Sequence, residues 1–155
     1  MSDQGKDPRP LKGYEFLLGT YTLASALAVA LVKSRKDETR RLSLRRIALL
    51  ALATQHLSRL IAEDSILAPL RAPFTHFVEP TGEGEVREEV VGTGLRHAVG
   101  ELLTCPYCLA QWTASGLVAG TIAFPNLTDA MVAVCAVARL SDYLQLGYDH
   151  FKSDG

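Results

Sequence analysis

Apolar residues along the chain gather in four runs, with charged residues between them. Tyr14 to Val32 is the strongest, about nineteen residues with only Glu15 charged, near its start. A helix of about twenty residues spans the hydrocarbon core of a bilayer, so this run predicts a membrane anchor. Ala28-Val29-Ala30 has the small-x-small look of a cleavage site, which makes a cleavable signal peptide the competing reading. No polar segment precedes that site and a dense basic cluster follows it, which favours an uncleaved anchor. Residues Met1 to Gly13, polar with Gly and two prolines, read as a disordered tail.

Leu44 to Ala62 predicts a second helix, plainly apolar from Ile47 to Ala53. Further along, Gln55, His56, Arg59 and Glu63 fall on one stripe of that helix. It either spans with the stripe turned toward other helices, the preferred reading, or lies partly in the interface. Leu109 to Phe124 is the third run, short enough to place Tyr107 and Trp112 at the membrane surface as interface anchors. Pro125-Asn126 signals a tight turn. Asn126 or Thr128 is then the expected cap of a fourth helix over Leu127 to Leu146, with Asp129 in its first turn. Residues 147–155 are left as a tail.

Residues 63–108 break this pattern. Pro69 and Pro73 exclude a long helix through Ser65 to Val78, and Leu67, Leu70, Phe74 and Phe77 are expected to pack at the membrane surface. Thr81 to Gly94 is rich in Gly and Glu, with Glu85 to Val91 suited to a short extended hairpin arm. Gly94 to Thr104 predicts a short helix that Pro106 ends at or before Cys105.

Length changes the picture by limiting it: 155 residues suffice for one domain, without room for a second full core. A net charge of −1 gives no basic excess for nucleic acid. The charge is segregated, however. Lys33 to Arg46 holds seven Lys/Arg against two acids, and Glu63 to Cys108 holds eight acids against Arg71, Arg87 and Arg96. The positive-inside rule makes the basic loop cytoplasmic, where it also meets anionic lipid. The expected fold is an all-α integral membrane bundle of about four hydrophobic helices, its C-terminal half a helical hairpin.

Three side-chain groups carry candidate chemistry. Cys105-Pro106-Tyr107-Cys108 is a Cys-x-x-Cys pair at a helix start, where free N–H groups stabilise a thiolate. It matches the redox motif of glutaredoxins, yet the strand and small sheet those enzymes need are missing from the pattern, and Pro106 also suits a first helical turn. His97, Glu101, Cys105 and Cys108 together offer enough ligands for zinc, without the second Cys or Cys/His pair of a structural site. Structural cysteines, a disulfide or thiol-exchange pair, and a metal site all stay open.

His56, Arg59, Asp64, Arg71, Arg139 and Asp142 form a candidate polar junction. Charges within or near apolar runs are costly and take partners; Arg59–Glu63 and Arg139–Asp142 have helical pairing distances. Structural pairing is favoured over a proton or ion path, and His56 reads as a packed residue. Gly116-x-x-x-Gly120 gives the third long run a smooth side for close packing, expected against the fourth helix. No phosphate-binding loop, nucleophile elbow or metalloprotease helix is present.

Leu57-Ser58-Arg59-Leu60-Ile61, Asp64 and Pro69-Leu70-Arg71-Ala72-Pro73-Phe74 resemble one signature of a bacterial family. Gly100-Glu101-Leu102-Leu103-Thr104-Cys105-Pro106-Tyr107-Cys108, with Gln111-Trp112 after it, resembles the other. The family is domain of unknown function 1360, small bacterial membrane proteins, some linked with sporulation. The likeness runs from about Ile47 to Leu140. It implies residence in the membrane and one recurring unit of Arg59, Asp64, Arg71, Glu101, Cys105, Cys108 and Trp112, with no activity to carry over.

The expectation is therefore a multi-pass protein of the bacterial inner membrane, a non-enzymatic structural or interaction protein with a protein partner or a second copy of itself. The alternative is a membrane thiol-redox or metal-binding factor. If all four helices span, the N-terminus, the central segment and the Cys pair lie outside, where a Cys105–Cys108 disulfide is favoured. If the second helix stays in the interface, the central segment is cytoplasmic and the pair is reduced or metal-bound.

Overall fold

The computed structural model describes residues 9–34, 43–82 and 84–153. Within them the chain is mostly helical: α1 (Leu11–Ser34), α2 (Leu44–Glu63), α3 (Ala68–Arg71), α4 (Gly94–Thr104), α5 (Pro106–Ala123) and α6 (Pro125–Ser153). A 3-10 turn, Ser65–Leu67, precedes α3, and a hairpin of β1 (Thr75–Pro80) and β2 (Val86–Val90) precedes α4. The all-α expectation is corrected by that hairpin. Its first strand takes Thr75 to Val78, the end of the stretch expected to lie on the membrane surface.

Local chemistry accounts for several helix ends. The Ser43 side chain accepts from the Arg46 N–H, and Asp64 stops α2 in extended backbone. Pro106 and Pro125 each occupy the first turn of a helix, where the missing N–H costs nothing. Neither Asn126 nor Thr128 caps α6, because the helix starts one residue before Asn126; Asp129 instead pairs with Arg46 at 2.6 Å. Helices α1 and α6 overrun the expected tails, beginning at Leu11 and ending at Ser153. The rest of the expected N-terminal tail (residues 1–8), the middle of the basic loop (residues 35–42) and residues 154–155 lie outside the described residues.

Helix α2 is the central post, with α5 and α6 against it. Leu50 and Ala53 of α2 meet Leu117 of α5 and Val132 and Cys135 of α6. At the α5–α6 turn the Cβ that Gly120 lacks would stand 2.7 Å from Thr128 Oγ1, so glycine allows the two helices to close. Gly116 faces open space. Only half of the Gly-x-x-x-Gly works as expected, and it works within the chain.

Helix α1 docks along one stripe. Gly13 lies against Ala98 and the Gly94 carbonyl of α4. The Tyr14 hydroxyl donates to Glu101, and two turns on Tyr21 meets Ser115 at 2.8 Å and accepts from Gln111 at 2.7 Å. Among the described residues the remaining faces of α1 are exposed.

The hairpin is antiparallel, with Thr75 opposite Val90 and Pro80 opposite Val86 and an irregularity between Phe77 and Glu79. Gly84, at φ +81°, takes a left-handed backbone in its turn that other residues adopt at a cost. Helix α4 lies on the hairpin because Gly100 lets it. A Cβ there would stand 2.5 Å from Val90 Cγ1 and 3.0 Å from the Phe74 carbonyl oxygen.

Among the described residues one helix, α6, is long and apolar enough to cross a membrane, and only 11% of its most apolar window is buried. A four-span bundle does not follow from helix length and composition.

Candidate functional site

The chain between α2 and α4 is held by one fully buried arginine. Arg71 is 0% exposed, and its guanidinium is used on three sides. Nε donates to Glu88 Oε2 at 2.7 Å, one Nη to the Ile61 carbonyl at 2.7 Å and the other to the Asp64 carbonyl at 2.9 Å. A planar fork with several fixed donors satisfies acceptors in divergent directions, which a lysine ammonium does not. The Glu88 side chain is itself largely shielded and also faces the Thr75 hydroxyl at 3.0 Å. Arg71 thus ties the end of α2 to β2 across the break that Pro69 and Pro73 impose.

Beside this clasp lies a second cluster. Arg59 Nη2 reaches Glu63 at 2.8 Å and Glu85 at 2.9 Å, so one cation stands between two carboxylates. Asp64 supports both clusters: its backbone bridges to Glu85, and its side chain caps the 3-10 turn through the Ile66 N–H at 2.7 Å.

Arg139 and Asp142 sit elsewhere, in the α2–α6 contact. They pair at 3.2 Å as their spacing predicts. Gln55 Oε1 accepts from Arg139 Nε at 2.6 Å and from the Tyr143 hydroxyl at 2.7 Å, and the Arg139 guanidinium lies over the Tyr143 ring at 5.0 Å. His56 is half-buried and makes no polar contact among the described residues. The expected single junction is therefore two connected clusters at the hairpin and a separate one on α6.

The cysteines are free thiols in this structure. Cys105 ends α4 and caps α5: its Sγ accepts from the Cys108 N–H at 3.2 Å, the place usually held by Ser or Asp. Partial desolvation, then the neighbouring Cys105 thiol, push the Cys108 thiol up to about 11. At Cys108, therefore, the first turn of α5 does not produce the activated thiolate expected at a helix start. The four suggested zinc ligands are not assembled: among the described residues no three His, Cys, Asp or Glu side chains gather as a metal site. His97 Nδ1 lies 3.2 Å from the Gly92 carbonyl, its Nε2 lies 3.5 Å from Glu101, and Glu101 is taken by Tyr14.

Trp112 packs edge-on against Tyr21 at 5.1 Å and so joins α5 to α1, while Tyr107 is 88% exposed. Sequence reasoning left Gln55, Glu85, Glu88, Tyr14 and Tyr21 out of the site. Glu88 was findable: in β2, Val86, Glu88 and Val90 turn inward while Arg87 and Glu89 turn out. Tyr14 and Tyr21 lie seven apart, two turns on one face.

Comparison with known proteins agrees with the motif reading. A family model described as "Protein of unknown function (DUF1360)" matches residues 49–148. The chain is 34% identical over 102 residues to a curated protein of Bacillus subtilis (strain 168), "Sporulation protein YjcA". The match takes in 64% of this chain and 86% of that relative. No solved structure matches. The matched residues hold the Arg71 clasp, the Arg59 cluster, the Cys pair and the α2–α6 contact, but not α1: the chain belongs to the DUF1360 family.

Proposed function

We propose that this chain is a membrane-embedded helical protein of structural or interaction type, whose helices carry a rigid polar head at the bilayer surface. One observation carries the reading: the chain is built with its large apolar side chains outward. Nine apolar residues are buried among the described residues, four of them alanines, while twenty-five large hydrophobic residues are exposed. Leu18 is 67% exposed and Val134 70%, in the middle of helices. Helices that meet through small residues and polar bonds while apolar faces point away are the arrangement lipid favours. In water, apolar patches on this scale drive association.

In this reading α1, α2, α6 and α5 from Leu109 onward are the embedded part, and the protein is multi-pass. Residues 63–108 form the head, in which the buried guanidinium fixes the hairpin and α4 as a surface for a protein partner. Cys105 is a helix cap, and Cys108 keeps its proton at neutral pH. The relative's name as a sporulation protein extends the reading to a role in spore formation in a spore-forming host.

The test is fractionation. The protein is expected to resist alkaline carbonate, to dissolve in detergent and to float with vesicles after reconstitution. Recovery as a detergent-free, dissolved monomer overturns the reading.

A further inference from the structure

The structure holds a groove that neither the family nor the relative assigns. It has a volume of about 580 Å³ and runs between α2 and α5. That is within the 300–1,000 Å³ range of small-molecule sites and below what a whole helix needs. Ile47, Leu50, Ala51, Ala114 and Val118 line the apolar length; Arg59, Glu63 and Tyr107 close one end. From Ile47 to Glu63 the groove wall is about 24 Å long at 1.5 Å per residue.

The polar end keeps bonding capacity in reserve. Glu63 Oε2 is shut off from solvent and is held by Arg59 Nη2 alone, in an ion pair at 2.8 Å. The rest of the carboxylate, which is part exposed, accepts no hydrogen bond among the described residues. Arg59 spends only Nη2 on Glu63 and Glu85, leaving Nε and Nη1 for another acceptor. One end of an apolar groove therefore offers a part-exposed carboxylate, ion-paired on one oxygen only, beside guanidinium donors not spent on it. With Glu85 the cluster carries two carboxylates and one guanidinium, a surplus of one negative charge. A purely anionic headgroup does not complement it; a head bearing both a phosphate and an N–H-bearing ammonium does. Tyr107 at that end suits the water–lipid boundary.

We propose that the groove binds a zwitterionic aminophospholipid of the phosphoethanolamine class. Its phosphate lies on the free edge of Arg59, its ammonium donates to Glu63, and one acyl chain follows α2 and α5. The proposal rests on the membrane reading above.

The test is native mass spectrometry of the full chain in detergent, titrated with phosphatidylethanolamine, phosphatidylcholine and phosphatidylglycerol of matched chains. Wild type should retain phosphatidylethanolamine about tenfold better than the other two, the scale of one hydrogen bond to a charged group. Phosphatidylcholine is the sharp control, because its quaternary ammonium has no N–H. Glu63→Gln should lose that preference, and Ala114→Leu, which fills the groove, should lose retention of all three lipids. Vesicle flotation and helicity of each variant are read first. Variants that float and fold like wild type but lose the lipid test the groove alone, whereas a wild type that does not float removes the membrane reading instead. Equal retention of the three lipids, an unchanged preference in Glu63→Gln, or a groove occupied by a second copy seen as a dimer mass would each overturn the proposal.

Discussion

Replacing Arg71 with methionine should open the central segment while leaving the helices in place. Methionine keeps much of the apolar stem and removes the guanidinium. Three acceptors lose a donor at once: Glu88 Oε2, which keeps only the Thr75 hydroxyl, and the carbonyls of Ile61 and Asp64. Glu88, with a side chain only 6% exposed, is left as a buried charge without its cation. Breaking a buried ion pair in this way costs about 3–5 kcal/mol. Whole domains are stable by only about 5–15 kcal/mol, so the loss is large. It falls on the hairpin, because α2, α5 and α6 keep their own contact. The assay is hydrogen exchange at the amides of Thr75 to Val90 in detergent micelles. A loss of about 3 kcal/mol in local opening corresponds to exchange at least about a hundredfold faster. Arg71→Lys should fall between, since an ammonium cannot meet acceptors on three sides. Arg71→Met combined with Glu88→Met removes both charges and should cost clearly less than the two single changes added together. Exchange within about threefold of wild type in Arg71→Met, or strictly additive effects, would refute the clasp.

Two other outcomes are expected. Gly120→Ala should destabilise by about 1–3 kcal/mol, because its Cβ meets Thr128 Oγ1 at 2.7 Å, while Gly116→Ala, which faces open space, should be neutral or slightly stabilising; detergent unfolding of the two variants separates them. In reduced protein, alkylation of Cys108 should be slow at pH 8, where about a thousandth of a thiol titrating near 11 is ionised, and should rise about tenfold per pH unit toward pH 11; a plateau near pH 7 by peptide mass analysis would mean an activated thiolate instead.

The sequence by itself determined the helices, because a helix is written locally. Apolar runs located α1, α2, α5 and α6, and Pro106 separated α4 from α5; the Pro125-Asn126 turn signal marked the break before α6, although the helix starts at Pro125 rather than Leu127. It also contained the pairs whose partners lie on the same helix, Arg59–Glu63 and Arg139–Asp142, since three- and four-residue spacing is itself a distance. The family was legible from two short phrases within residues 49–148.

What spacing cannot encode is which distant segments meet. Arg71 finds Glu88 only because β2 folds back over the end of α2, and Gln55 becomes the acceptor for Arg139 only because α6 packs on α2. The same limit explains the zinc reading. Helical spacing places His97, Glu101 and Cys105 on one face, but Tyr14 of α1 takes Glu101, and the Cys105 sulfur turns to cap α5. A side chain's residue type states what it can bind; tertiary contact decided which of those bonds it makes.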